Sequence, residues 1–444
     1  MRIMRKLKAR LLASAGRRAA FAEDRRGAAA VVMAILLPFL LAGLAFGAEL
    51  GFWELQRRKV QNAADAAAHA AATQLRQGID EEDDLRAAAL AVAELGGYRM
   101  GAAGIALENP PSSGGFAGDN QAILVTLDHV QDRWFSGVFS KDPVVFTVRS
   151  TARVENGRPA CVLSLAPTAP EAIAAKGSTS VSLGGCDLAA NSIASNAVAQ
   201  QGSATITADC ISTVGETSFQ NSSNVTLNDC PAPIEHGPLT PDPYRDVPEP
   251  STAAVCATGA DKNAFLTNPH KTGTPPPTLD SMTGAVIGKK FCGGGNIQGT
   301  TELSSGIYVL SGGNWKVNSG AVLRGDGVTL FLTDGAALDI SGGATIDLSA
   351  PKTGPWSGLV VYFDRNGTPD SKINGGSNFS MVGAVYGTNT HIEFSGNTTG
   401  SGPGECTQVI GYTVTFIGNS GFNTDCSNSG TKEIRSAQGI RIVE

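Results

Sequence analysis

The longest uninterrupted apolar stretch, GAAAVVMAILLPFLLAGLAFGA at residues 27–48, carries no charge over 22 positions. About 20 apolar residues suffice to cross a bilayer as a helix, so residues 27–53 are assigned to a membrane helix. Pro38 lies inside it, which a membrane helix tolerates when neighbouring groups satisfy the freed carbonyl. Glu49 is placed near the outer end, within reach of water, and is read as interfacial. The pattern then changes character. NAADAAAHAAATQL is alanine-rich, and alanine loses no side-chain entropy on entering a helix. The rod is therefore expected to continue as a stalk over residues 54–78, with Gly78 as its stop.

Residues 79–160 read as a small α+β segment. In DEEDDLRAAALAVAELGGY (80–98) the acids sit in the first turn, where the helix dipole favours negative charge, and Leu85, Ala88, Ala89, Val92 and Leu95 recur at helical spacing. AILVTLDHV (122–130) and PVVFTVRSTARV (143–154) alternate as two antiparallel strands. Trp134 and Phe135, between them, are expected in the core or as its cap.

From residue 161 to 444 the pattern is short apolar runs between polar turns. GSTSVSLGGC (177–186), GSATITADC (202–210) and SSNVTLNDC (222–230) align, each a turn, a strand and a cysteine. A repeat of this size points to a solenoid. GIYVLSGG, NWKVNSG, AVLRGDG, VTLFLTDG, ALDISGG and TIDLSAP continue the series. The predicted fold class is mainly β, a right-handed parallel β-helix with inward Val, Ile and Leu stacked in ladders and Gly or Asn at corners. An antiparallel β-sandwich is the alternative, with few Asn-Gly hairpin signals in its favour. The proline-rich segments 231–250 and 268–280 are expected to be loops that leave the solenoid.

Charge orients the chain. Residues 1–26 hold nine Lys or Arg against Glu23 and Asp24, so the positive-inside rule keeps this tail in the cytoplasm and places the body on the other side. AFGAE remains a cleavage site if the segment acts as a signal peptide instead. From Cys161 onward there are 14 basic and 23 acidic residues, which argues against nucleic acid as a partner. All eight cysteines lie at or beyond Cys161, as suits an oxidising compartment. Eight thiols permit 105 pairings. Short links between neighbouring coils predict Cys161–Cys186, Cys210–Cys230, Cys256–Cys292 and Cys406–Cys426.

One stretch carries a resemblance. An apolar span followed by Lys59, Val60, Gln61, Asn62, Ala63, Ala64, Asp65 and Ala66–Ala68 resembles the amino-terminal segment of the TadE/TadG-like proteins of Flp (tight adherence) pilus assembly, over roughly residues 25–77. The chain has Ala68-His69-Ala70 where that family usually carries Ala-Leu-Ala. The strand-rich later part also resembles the carboxy-terminal regions of TadG-like proteins. The resemblance implies a single-pass protein of the bacterial inner membrane, with a periplasmic or cell-surface body, that takes part in pilus assembly or anchoring alongside other Tad/Flp proteins. A Glu five residues after Gly27 would mark a processed pilin; Val32 stands there. Ala64, Ala67 and Ala71 form a stripe of small residues that favours close helix packing. With Gln61, Asn62 and Asp65 they are the candidate partner-helix surface, an inert stalk being the alternative.

Chemistry is sparse. A polysaccharide-active site on a β-helix needs grouped carboxylates and nearby bases. Asp326, Asp334, Asp339, Asp347, Asp364 and Asp370 are candidates, yet Asp339 and Asp347 alternate with apolar residues and the nearby basic residues, Arg324, Lys352 and Arg365, are thin. His391 reads as a solvated strand residue. DRNGTPD (364–370) has alternating oxygens but lacks the closing acid of a calcium loop, and reads as a turn. No zinc spacing and no GxxxxGK phosphate cradle occurs, so the chain is expected to be non-catalytic and without cofactor. A surface adhesin that binds a glycan or another surface ligand through the solenoid flank is the alternative function.

Overall fold

The structure is a computed structural model that describes residues 28–99, 105–367, 369–375, 379–396, 398–399, 406–423, 426 and 429–443. The basic tail, and with it the expectation for residues 1–26, lies outside the described residues. Two compact units form, one of residues up to 72 with 81–153 and 442–444, the other of residues 73–80 and 154–441.

In the first unit, helix α1 (Ala28–Arg76) carries an exposed apolar segment and contains Pro38. It is long and apolar enough to cross a membrane. Helix α2 (Glu82–Leu95) starts with Glu82, Asp83 and Asp84 and buries Leu85, Ala89 and Ala93 at four-residue spacing. Strands β1 (Ile105–Glu108), β2 (Ala122–Gln131) and β3 (Val144–Val154) form an antiparallel sheet, with Leu127 opposite Ile105 and Thr126 opposite Arg149. The alternation in the two longer strands marked them in the sequence. β1 follows a glycine-rich stretch and is too short to show a period.

The second unit is a parallel β-solenoid of about eleven turns. The antiparallel sandwich is excluded, because its stacked strands pair in parallel. The three aligned segments stack in register: Val181 faces Ile206, and Ile206 faces Val225. Along the axis the coils do not follow chain order. One inward ladder runs Tyr308, Leu330, Val361, Val385, Val409, then Val162, Leu188 and Ile211. The last long strand, Thr407–Phe416, thus stacks on the first solenoid strand, β4 (Arg158–Ser164), and the chain both enters and leaves the solenoid at this mid-axis seam. Ile434, near the carboxy terminus, pairs antiparallel with Ala160 of the same strand.

Segment 231–255 makes this order possible. Contrary to the sequence reading, it does not leave the solenoid but runs back along it as a strap. Thr213 N donates to Ile234 O at 2.9 Å. Asn191 and Thr240 exchange two hydrogen bonds of 2.8 Å. Tyr386 Oη donates to Asp242 at 2.8 Å, Trp356 Nε1 to Pro248 O at 2.7 Å and Arg365 N to Glu249 at 2.6 Å. Segment 268–280 is likewise held, with Leu279 buried and Tyr308 Oη donating to Pro275 O at 3.0 Å. Prolines suit both roles because they need no ladder partner for an N–H.

The strap explains a sequence pattern. VTLFLT (328–333) and LVVYF (359–363) are continuous apolar runs and are buried throughout, as parallel strands covered on both faces are. Their inward side chains join the solenoid core. Val309, Phe331, Tyr362, Tyr386, Ile410 and Leu163 form a second core beneath the strap with Tyr244, Val247 and Trp356. On the uncovered faces, ALDI and TIDLS alternate buried and outward positions. Helix α3 (Gly259–Leu266) closes one end, where Phe265 stacks on Phe291 at 4.5 Å and meets Trp315 edge-on at 5.7 Å, the capping an exposed repeat end requires. At one corner Gly313 (φ +73°) packs so closely that a Cβ would lie 2.7 Å from the Gly293 carbonyl carbon.

Four disulfides join Cys161–Cys186, Cys210–Cys230, Cys256–Cys292 and Cys406–Cys426.

Candidate functional site

The densest set of motif residues lies on α1. From Val60 onward, Ala63, Ala64, Ala67, Ala68, Ala71 and Ala72 are buried, as adjacent pairs recurring every four residues that mark one helix face. Small side chains permit close approach: a Cβ placed on Gly96, just after α2, would lie 3.5 Å from Ala63 Cβ. Of the candidate packing residues, Ala64, Ala67 and Ala71 are therefore already buried within the chain. Gln61 and Asp65 are half-buried and Asn62 is exposed.

Gln61 and Asp65 are brought together. Gln61 Nε2 donates to Asp65 Oδ1 at 2.9 Å, one turn on, and to the Arg149 carbonyl oxygen of β3, also at 2.9 Å. Both amide protons are thus used, and the spacing of four puts the carboxylate where it orients the amide toward the strand.

The sequence reading of Glu49 is corrected by the structure. The carboxylate is buried and works as a clamp. Its Oε1 accepts from Trp134 N at 2.7 Å and Ser136 Oγ at 3.0 Å, and its Oε2 accepts from Ser136 N at 2.7 Å. A buried carboxylate is tolerable only when so bonded. The signal was a lone acid ending an apolar run, but nothing in the sequence named its donors 85 residues away. Trp134 and Phe135 also depart from expectation. Both are about half exposed, so they close no core, although Trp134 leans on Phe52 with ring centroids 4.4 Å apart.

The carboxylates proposed for glycan chemistry do not converge. Asp339 stands in an outward row with Lys316, Lys372 and Glu393. Asp347 stands in another with Glu302 and Arg324. Such alternating charge favours stacking of neighbouring coils. Asp326 bonds Ser349, and Asp334 accepts from Ser311 Oγ at 2.6 Å. Asp364 is buried at a turn and accepts from Thr333 Oγ1 at 2.8 Å and Asp334 N at 3.0 Å. Asp370 is exposed. Arg365 holds the strap through the carbonyls of Tyr244, Arg245 and Val247. His391 is half-buried on its strand, with Nδ1 2.6 Å from Thr413 Oγ1. Among the described residues no cluster of three His, Cys, Asp or Glu groups is placed to hold a metal.

An ion pair stands at the seam, with Asp187 buried and Arg158 partly exposed. Arg158 Nε lies 3.1 Å from Asp187 Oδ2, and Ser436 Oγ donates to the same oxygen at 2.7 Å. Burial raises the Asp187 pKa above the usual carboxylate value, against these partners. Burial likewise raises that of Asp242.

Residues 27–74 match the Tad family model, described as Flp pilus-assembly TadE/G-like. The matched stretch takes in the apolar helix, Glu49, Gln61, Asp65 and the buried alanine face. No curated protein and no solved structure matches the chain.

Proposed function

We propose that this chain is a non-catalytic, single-pass component of Flp/Tad pilus assembly or anchoring, held in the bacterial inner membrane. Its tail would face the cytoplasm, and its small sheet and solenoid would lie in the periplasm or at the cell surface. The observation that carries this reading is the TadE/G-like match over residues 27–74, which falls on an apolar helix and on the clamps that tie it to its own sheet. Disulfides confined to the solenoid favour an oxidising compartment. Partners would be the inner membrane and other pilus assembly proteins.

The surface adhesin remains as a second reading. The regular outward rows of charge on the uncovered solenoid faces favour it, because they offer polar groups in fixed register to a glycan or another surface ligand. Deleting residues 161–444 separates the two. Loss of pili supports assembly, whereas normal pili with poor attachment support adhesion. A reporter active only in the periplasm, fused after Gly78, should work; activity of a cytoplasmic reporter instead would overturn the orientation.

A further inference from the structure

Between β2 and β3 the chain exposes an apolar cluster that the pilus reading leaves unused. Trp134 is 55% exposed, Val138 85% and Phe139 79%, with Phe135 beside them. A water-facing loop gains nothing from such a patch, and contiguous exposed apolar surface marks a contact site. The loop is also rigidly presented. The Glu49 carboxylate takes its Trp134 and Ser136 amides, and Arg133 Nε donates to Asp142 O across its base at 2.7 Å. The backbone is thus held with the apolar side chains outward.

Its height along α1 identifies what covers it. Phe139 lies 5.7 Å from Phe46, and Trp134 lies 4.4 Å from Phe52, by ring centroids. At about 1.5 Å per residue, the charge-free run that opens at residue 27 reaches Phe46 after roughly 28 Å, close to the hydrocarbon thickness of a bilayer. The cluster is therefore continuous with the exposed apolar face of the helix at the level where that face leaves the hydrocarbon. Tryptophan and other aromatic rings are favoured at that boundary, and basic side chains reach from it to phosphate. Arg133, its guanidinium 5.5 Å over the Trp53 ring, and exposed Lys141 flank the loop accordingly.

We propose that loop 132–142 is a lipid-facing foot, with Trp134, Phe135, Val138 and Phe139 seated in the headgroup–acyl boundary of the bilayer crossed by α1. This rests on the spanning helix proposed above, and the test separates the two ideas. Full-length protein is reconstituted into phosphatidylethanolamine–phosphatidylglycerol vesicles that carry brominated acyl chains as quenchers. Phe39→Trp, at an exposed position of the apolar segment, reports insertion of the helix. The difference between wild type and Trp134→Phe isolates the emission of Trp134, and the conservative change keeps the loop folded. The expected result is quenching of the Phe39→Trp reporter by deep bromines, together with loss of roughly half the Trp134 emission with bromines near the headgroup. Quenching of the reporter without quenching of Trp134 overturns the foot and leaves the spanning helix standing. Absence of both overturns the spanning helix and the foot together. If Trp134 is unquenched and a photoreactive phenylalanine at position 139 crosslinks to a polypeptide, the patch is a protein contact and the foot is refuted.

Discussion

Gln61 Nε2 lies 2.9 Å from Asp65 Oδ1 and 2.9 Å from the carbonyl oxygen of Arg149, so one amide joins a helix turn to a strand 88 residues away. Gln61→Met keeps helix propensity and removes both bonds. At about 1 kcal/mol net per hydrogen bond, local stability should fall by about 1–2 kcal/mol. Faster amide exchange within residues 144–154 of the detergent-solubilised protein checks this. Unchanged exchange there would show the bonds to be idle.

The buried alanines make a sharper test. Leu at Ala64 and Ala71 overfills a closed face, at a cost of about 1–3 kcal/mol each. The amount of folded protein in membranes should drop. Asn62→Leu, on the exposed side, should stay within about 0.5 kcal/mol of wild type. If Asn62→Leu leaves abundance normal but abolishes pili, Asn62 belongs to a partner contact.

The disulfides should contribute through the unfolded chain. Cys210–Cys230 closes a separation of 20 residues, for which about 3 kcal/mol is expected. The double Cys→Ala variant should lower the guanidinium midpoint of the solenoid transition. Peptide mapping without reductant should recover the four pairs and no free thiol.

Strap attachment depends on Trp356, which is buried and donates to Pro248 O. Trp356→Ala should cost about 3–5 kcal/mol. Limited proteolysis should then cut within residues 231–255, whereas the wild type should resist cleavage there. Equal resistance in both would mean that the strap is held elsewhere.

Acidification should act on the seam in a defined direction. The Asp187 pKa is raised on folding, from an ordinary value of 3.8, chiefly by burial. A raised acid contributes stability that is complete below the unfolded value and lost as pH rises through the folded one. Compared with Asp187→Asn, wild type should gain stability as pH falls from neutrality toward 3.8. A gap between the two melting curves that does not change with pH would contradict this.

The outlines legible in the sequence were those with a period. The charge-free run marked the helix, two alternating stretches marked β2 and β3, and the stacked register of Val181, Ile206 and Val225 follows the alignment of their segments. What escaped depends on distant partners. Proline-rich residues 231–250 look like a free loop until the second apolar face of VTLFLT needs a cover. Glu49 looks like a wetted acid until the Trp134–Ser136 amides reach it. The order of the coils was invisible because glycine-cornered strands of similar length stack interchangeably, and only the side chains under the strap distinguish one neighbour from another.

The mid-axis seam has a consequence for how the molecule comes into being. A solenoid whose rungs succeed one another along the chain can condense as each emerges, because every rung finds its template already in place. Here Val162 must wait for Val409, and the antiparallel closure of Ala160 waits for Ile434. Contacts so far apart in sequence slow folding, since the loop must close before they stabilise anything. The earliest rungs, 160–227, are left with an open edge on the side that strand 407–416 will cover, at a time when most of the chain has yet to arrive. That edge is a template for wrong pairing. A chain stopped short of residue 407 should therefore aggregate rather than persist as a smaller solenoid.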